Sequence, residues 1–142
     1  MDSRAINRAI GTNLMKYIML IAVIGILLLY STGAIPRDGV GGSMVIGLVL
    51  LAAAPAVGIH EAWTKKRGVL GWIVNIVVSF VGAIVFAPIG GMVIGLILSP
   101  FMEGAGSMAA AGGLVMYVAL AGMTVVTLLG AWVGLWIVNR WR

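Results

Sequence analysis

The chain has 142 residues, of which 62% are hydrophobic and only 9% are charged. A soluble domain carries roughly 25% charged residues, so this composition excludes an ordinary soluble fold, which needs more charge to build a polar surface. An apolar exterior is suited to lipid. In a membrane protein, basic residues that give a net charge of +5 set the topology and contact anionic headgroups, so this charge does not indicate a nucleic-acid partner.

The chain begins with a short segment, residues 1–13, that is predicted to be an interfacial amphipathic helix. Arg4 and Arg8 fall on one helical face, and Ile6 and Ile10 fall on the other. Such a segment can lie in the plane of the lipid headgroups, although a solvated tail fits the same residues.

The first membrane span is predicted over residues 17–34. At a rise of about 1.5 Å per residue, this apolar run just crosses a hydrocarbon core of about 30 Å. A cleaved signal peptide is the competing interpretation, because a basic segment precedes the run and Thr32-Gly33-Ala34 is typical of a cleavage site. We expect the segment to be retained as a span.

A second span is predicted over residues 43–59. It follows a tight turn, residues 35–42, in which a proline and several glycines break the preceding helix. Pro55 lies inside the span and is expected to kink it, unless a neighbouring group satisfies the carbonyl that the proline frees.

The most charged segment of the chain follows the second span. Lys65, Lys66 and Arg67 are consecutive there, and Trp63 and Trp72 lie on either side of them. Because tryptophan is typical of the headgroup level of a membrane, the three basic side chains are predicted to contact anionic lipid.

Two further spans are predicted, over residues 69–98 and 108–138. The third is unusually long and is interrupted by Pro88 and by two glycines shortly after it. We favour a single long helix that is kinked at Pro88. The alternative is a re-entrant segment within residues 88–107, which would dip into the bilayer and return to the same side.

The distribution of positive charge predicts the topology. With four spans, all but one of the nine basic residues lie on the side of the two termini, which is therefore expected to be cytoplasmic. A fifth span would bury Glu103 in lipid and send Arg140 and Arg142 outside, and both consequences are unfavourable. The expected fold is an all-α integral membrane bundle of four transmembrane helices, a single domain over residues 1–142.

Two stretches of the chain read alike. Gly-Ala-Ile, then Gly-Gly, then Met-Val-Ile-Gly-Leu occur in this order from Gly33 and again from Gly82. A duplicated helical hairpin explains this echo, and so does coincidence in a chain built from so few residue types.

The sequence contains no recognisable catalytic or metal-binding set. His60-Glu61 begins like a zinc motif, but Thr64 stands where the second histidine belongs, and the chain has one histidine and no cysteine. Under the predicted topology Glu61 and Glu103 lie on opposite sides, so they cannot form a catalytic carboxylate pair. We therefore expect no enzyme activity, metal, cofactor or nucleic-acid partner.

Polar side chains within the spans are few, and none of them is ionisable. This weighs against a pump, a proton-coupled exporter and a voltage sensor. Asn75 and Ser79 are four residues apart and share one helical face. They are predicted to bridge helices through hydrogen bonds, and the alternative is that they line a pore.

Small residues at a four-residue spacing are the clearest positive signal in the chain. They let two helix backbones approach closely, which is how helices gain contact energy in lipid. The positions predicted to pack helices, within one subunit or between subunits, are Gly91 and Gly95, Gly130 and Gly134, and Ala52 and Ala56.

These features favour a small multi-pass protein of a prokaryotic cytoplasmic (inner) membrane, without enzymatic activity. Its expected role is that of an accessory or assembly subunit of a membrane complex, or of a homo-oligomer, with the anionic bilayer and other membrane subunits as partners. The alternative is a pore-forming protein, either a small channel or a holin-like one.

Overall fold

The computed structural model describes residues 3–35, 39–102, 104–105 and 111–141, with the backbone alone for 3–12 and 39–43. These residues are almost entirely helical, and no strand occurs among them. In chain order the elements are α1 (Ser3–Ser31), α2 (Gly39–Thr64), α3 (Val69–Leu98), a 3₁₀ turn (Ser99–Phe101) and α4 (Gly113–Arg140). The expected all-α fold is confirmed.

All four helices are long and apolar enough to cross a bilayer. The 30 residues of α3 extend about 45 Å at 1.5 Å per residue, which is longer than a hydrocarbon core of about 30 Å. α3 must therefore tilt or protrude. Four such helices fit a small multi-pass membrane protein, and the candidate spans are Asn13–Ser31, Met44–Thr64, Val69–Phe101 and Gly113–Arg140.

Three helices have bounds that differ from the predicted spans. α4 covers Gly113–Arg140 rather than 108–138, and α2 begins at Gly39, inside the predicted turn of residues 35–42. α1 is a single helix of 29 residues, so the backbone of residues 3–12 continues into the apolar run and forms no separate element. α2 continues past Ile59 to Thr64, whose hydroxyl donates a hydrogen bond of 2.7 Å to the carbonyl of His60. His60 therefore lies in the last turns of a helix rather than beyond its end.

α3 is unbroken through Pro88 and the glycines that follow it. A re-entrant segment needs non-helical backbone to turn back within the bilayer. Residues 88–98 are helical, so the long third helix, rather than a re-entry, accounts for this stretch. The remainder of the segment in question includes residues 103 and 106–110, which lie outside the described part of the chain.

The two similar stretches of sequence adopt different structures. Gly33 in the first has a φ of +74° and follows the end of α1. Gly82 at the matching position of the second lies inside α3 and packs against α4. The echo in sequence therefore does not correspond to a repeated hairpin.

α3 lies between α2 and α4 and forms the largest helix contacts of the bundle with both. α4 is the most enclosed helix, with 44% of its most apolar stretch buried, and α1 is the least enclosed, with 6%. One defined contact of α1 is edge-to-face aromatic packing, in which the ring centroids of Tyr30 and Tyr117 of α4 are 5.0 Å apart. Most of α1 is therefore free to face lipid or another protein.

The start of the α1 span, the turn between α2 and α3, and the end of α4 lie at one end of the bundle. Met15 and Ile18 of α1 pack on the apolar cluster that contains Leu135 of α4. Asn139 Nδ2 donates a hydrogen bond of 3.4 Å to Glu61 Oε1 and thereby joins the ends of α4 and α2. We call this the basic end, and its cytoplasmic orientation remains a prediction.

Candidate functional site

Two backbones approach closely where α3 crosses α4. A Cβ atom added to Gly82 would lie 2.6 Å from the carbonyl oxygen of Gly130, and one added to Gly134 would lie 3.3 Å from the carbonyl oxygen of Val78. Such an approach is possible because these positions lack side chains. Gly130 and Gly134 therefore take part in a contact within one chain.

The closest approaches of α3 glycines to α4 occur at Gly82 and Gly90. A Cβ on Gly90 would lie 2.6 Å from the side chain of Val126, and Gly82 also makes close contact. A Cβ on Gly91 would make ordinary contact with Cε of Met123 in α4, at 3.7 Å. Gly95 is half-buried, and its role in packing remains a prediction. Gly82 and Gly90 are not among the positions predicted from the sequence to pack helices. Small residues that recur along one face of α3 could have indicated that this face packs against another helix.

The small residues of α2 face in two directions. Ala54 and Gly58 are buried, and a Cβ on Gly58 would lie 2.6 Å from the carbonyl oxygen of Asn75 in α3. Ala52 and Ala56 are exposed. Any helix that packs closely on these two alanines must come from another chain.

The polar side chains of α3 are enclosed by the bundle. Asn75 and Ser79 have no exposed surface, and Gly58 of α2 packs directly against them. Ser79 Oγ donates a hydrogen bond of 2.8 Å to the carbonyl of Ile76, so its partner lies in its own helix and not in a neighbouring one. Neither polar atom of the Asn75 side-chain amide has a hydrogen-bond partner in the described part of the chain. α2 thus fills the space that a pore lined by these residues requires.

The basic end carries a small network of charged and polar side chains. Lys65 Nζ forms an ion pair with Glu61 one turn earlier in α2, and Asn139 of α4 donates to the same carboxylate. The guanidinium carbon of Arg140 lies 5.4 Å from the ring centroid of Trp136, a cation–π contact. Of these contacts, the hydrogen bond between Asn139 and Glu61 connects α4 to α2.

The turn between α2 and α3 borders an open cavity of about 740 Å³, lined by residues 65–71. The rings of Trp63 and Trp72 lie 6.3 Å apart beside this turn. Lys66 and Arg67 line the cavity, and no described carboxylate forms an ion pair with either of them. This is the largest concentration of unpaired positive charge in the described part of the chain.

Among the described residues, the remaining candidates, which are histidine and acidic side chains, do not come together in a metal-binding group. Within the described ranges, no three histidine, aspartate or glutamate side chains lie close enough together to hold a metal ion. His60 Nε2 lies 3.4 Å from Thr64 Oγ1 of the same helix. Glu103 lies outside the described residues, so its separation from Glu61 remains a prediction. No family model, curated protein or solved structure matches this chain.

Proposed function

We propose that this chain is a non-enzymatic membrane subunit that acts through helix contacts, either with copies of itself or as an accessory or assembly component among other membrane subunits. The observation that carries the proposal is the outward position of Ala52 and Ala56 in α2. Small residues on an exposed helix face allow a second helix to approach closely, and close approach is the main source of contact energy in lipid.

The surface around the two alanines is suited to a parallel partner helix. Met44 and Leu48, about two turns and one turn before Ala52, are 66% and 61% exposed. Copies inserted in the same orientation are related by an axis along the membrane normal, so the same face of α2 meets itself in parallel. Ala52 and Ala56 would then let the two backbones meet, while Met44 and Leu48 pack beside the contact.

The enclosed interior supports a role in assembly more than one in conduction. Asn75 and Ser79 are covered by α2, and the interior of the described spans carries no ionisable side chain. Conduction and coupled transport use polar or ionisable groups that face water. We further propose a prokaryotic cytoplasmic membrane as the location, with the basic end inside, because positive charge is retained on the cytoplasmic side.

The proposal is tested by enlarging the outward face of α2. Ala52→Leu with Ala56→Leu enlarges two side chains that are exposed in the single chain, so the fold should persist. The larger side chains should prevent the close approach of a second helix, so the contact between chains should be lost. In gentle detergent, the mass of the wild-type complex should exceed the 14.8 kDa of one chain, and the double variant should fall to that mass.

The matched control enlarges another outward pair with the same spacing. Val81→Leu with Val85→Leu changes two positions of α3 that are 52% and 53% exposed, and it should leave the complex intact. If the wild-type chain is recovered alone and monomeric, or if both double variants assemble like wild type, the proposed function is wrong. Identification of co-purifying proteins separates a homo-oligomer from a subunit of a larger complex.

A pore-forming role is the second candidate, and one observation favours it. Among the described residues, both polar atoms of the Asn75 side chain and the hydroxyl of Thr127 are buried without hydrogen-bond partners, as expected for groups that meet water in another state. Opening would require α2 to move away from α3, which would break the contact of Gly58 with Asn75 and Ser79. Liposomes that contain the purified protein should then release a trapped dye, and Asn75→Leu should change the rate of release, whereas an assembly subunit leaves them tight.

A further inference from the structure

The turn that joins α2 to α3 combines a cavity with two positive charges that pair with no described carboxylate. The cavity, about 740 Å³ in volume, is lined by the consecutive residues 65–71. Lys65 is partly neutralised by Glu61, so Lys66 and Arg67 supply most of the positive potential there. An open cavity lined by two unpaired cations attracts an anion and gives it a place to reside.

Arg67 is held in position by the absence of a side chain at Gly71. A Cβ atom on Gly71 would lie 2.7 Å from Cβ and 3.0 Å from Cδ of Arg67, so the stem of the arginine occupies the space above the first turn of α3. The Nε atom of Arg67 is enclosed there and meets no acceptor among the described residues. Because the stem and Nε are packed in, a ligand in the cavity would be bound by the terminal nitrogens of the guanidinium group.

The position of the turn in the membrane indicates what kind of anion is available. Trp63 is 73% exposed, and its ring meets that of Trp72 beside the cavity. Exposed tryptophan at the end of an apolar helix marks the headgroup level, where phosphate groups are concentrated. Arginine binds phosphate oxygens through its planar set of donors, and lysine adds a mobile charge.

We propose that the cavity at residues 65–71 binds one phosphate group, with Arg67 as the principal ligand and Lys66 as the second. The phosphate belongs either to an anionic phospholipid or to a free phosphate ion, since both present the same oxygens. The site differs from diffuse attraction between a basic surface and a membrane, because it depends on where the stem of Arg67 lies and not on charge alone. It is also independent of whether the chain assembles with others.

The test changes the geometry of the site without changing its charge. Gly71→Ala places a methyl group in the space that the Arg67 stem occupies, whereas Gly68→Ala adds the same methyl group to the same turn with no atom within 4 Å. The chain is reconstituted in nanodiscs of phosphatidylcholine and phosphatidylglycerol, and the lipid retained per chain is counted by native mass spectrometry. The wild-type chain should retain one phosphatidylglycerol about tenfold more strongly than phosphatidylcholine, because both lipids present phosphate oxygens but the choline cation of the latter is repelled by Lys66 and Arg67.

Gly71→Ala should lower this retention about tenfold, and Gly68→Ala should leave it unchanged. Arg67→Lys keeps the charge but loses the planar donors, so it should reproduce the loss. In a separate arm, inorganic phosphate is titrated into the detergent-solubilised protein. Release of phosphatidylglycerol assigns the site to the phosphate group itself, and retention assigns it to the lipid as a whole. Equal retention by the wild type and by both alanine variants would overturn the proposal, as would no preference for phosphatidylglycerol.

Discussion

Gly82 of α3 and Gly130 of α4 lie against each other at the crossing of the two most extensively packed helices. A Cβ atom at position 82 would meet the carbonyl oxygen of Gly130 at 2.6 Å, and one at position 130 would overlap Cβ of Phe86. The atoms that would clash are backbone atoms or lie next to the backbone, so the neighbours cannot move aside as the end of a flexible side chain can. The crossing therefore depends on glycine at both positions.

Gly82→Ala should destabilise the bundle by about 1–3 kcal/mol, the range seen when a packed interior is overfilled. The expected change is a lower free energy of unfolding in detergent micelles, measured by reversible unfolding or steric trapping. Gly47→Ala is the matched control, because it also lies inside a helix but a Cβ there has nothing within 4 Å. The control should be neutral or more stable by up to about 1 kcal/mol, since alanine is the better helix former. Equal stability of the two variants would show that the helices cross elsewhere.

The sequence predicts the number and nature of the helices well, because a bilayer admits few alternatives. An apolar run of this length in lipid has to satisfy its backbone internally, so composition and length are sufficient to predict four helices. The same reasoning favours a long third helix, kinked at Pro88, over a re-entrant segment, and α3 is helical through Pro88. None of these predictions requires knowledge of which helix touches which.

The contacts between helices could not be predicted in the same way. Successive residues of a helix are rotated by about 100°, so a Cβ on Gly90 would overlap Val126 of α4, whereas one on Gly91 would make only ordinary contact with Met123 of the same helix. Ala52 and Ala54 differ likewise, since the first is exposed and the second is buried. A four-residue spacing identifies a smooth face but does not say whether that face meets the same chain, another chain or lipid.

Asn75→Leu should stabilise the bundle by about 1 kcal/mol, because a buried amide without partners costs more than an apolar side chain of similar size. Asn75 lies six residues from the start of α3, about 9 Å along the axis, so its amide can reach interfacial water when the helices separate. Folding removes the hydrogen bonds between the Asn75 amide and this water, and a leucine at position 75 has no such hydrogen bonds to lose. The measurement is the free energy of unfolding in micelles or bicelles.

Ser79→Ala provides the control for the asparagine variant. The hydroxyl of Ser79 donates to Ile76 within α3, and this bond persists when the intact helix separates from its neighbours in lipid. Its removal should therefore change stability by less than about 0.5 kcal/mol. A large destabilisation by Asn75→Leu would mean that the amide has a partner in the native bundle, and the enclosed arrangement would then be incomplete.

The basic end should face the cytoplasm, and the absence of native cysteine makes this directly measurable. Single cysteines at Lys66 in the α2–α3 turn and at Thr32 after α1 occupy exposed positions at opposite ends of the bundle. Because positive charge is retained inside, a membrane-impermeant maleimide should label the cysteine at position 32 in intact bacterial cells and the one at position 66 only after permeabilisation. A cysteine at Val77, whose side chain is 54% exposed on the apolar surface of α3, should resist the reagent in both conditions. Labelling of position 66 in intact cells, with position 32 protected, would reverse the orientation and contradict the charge argument.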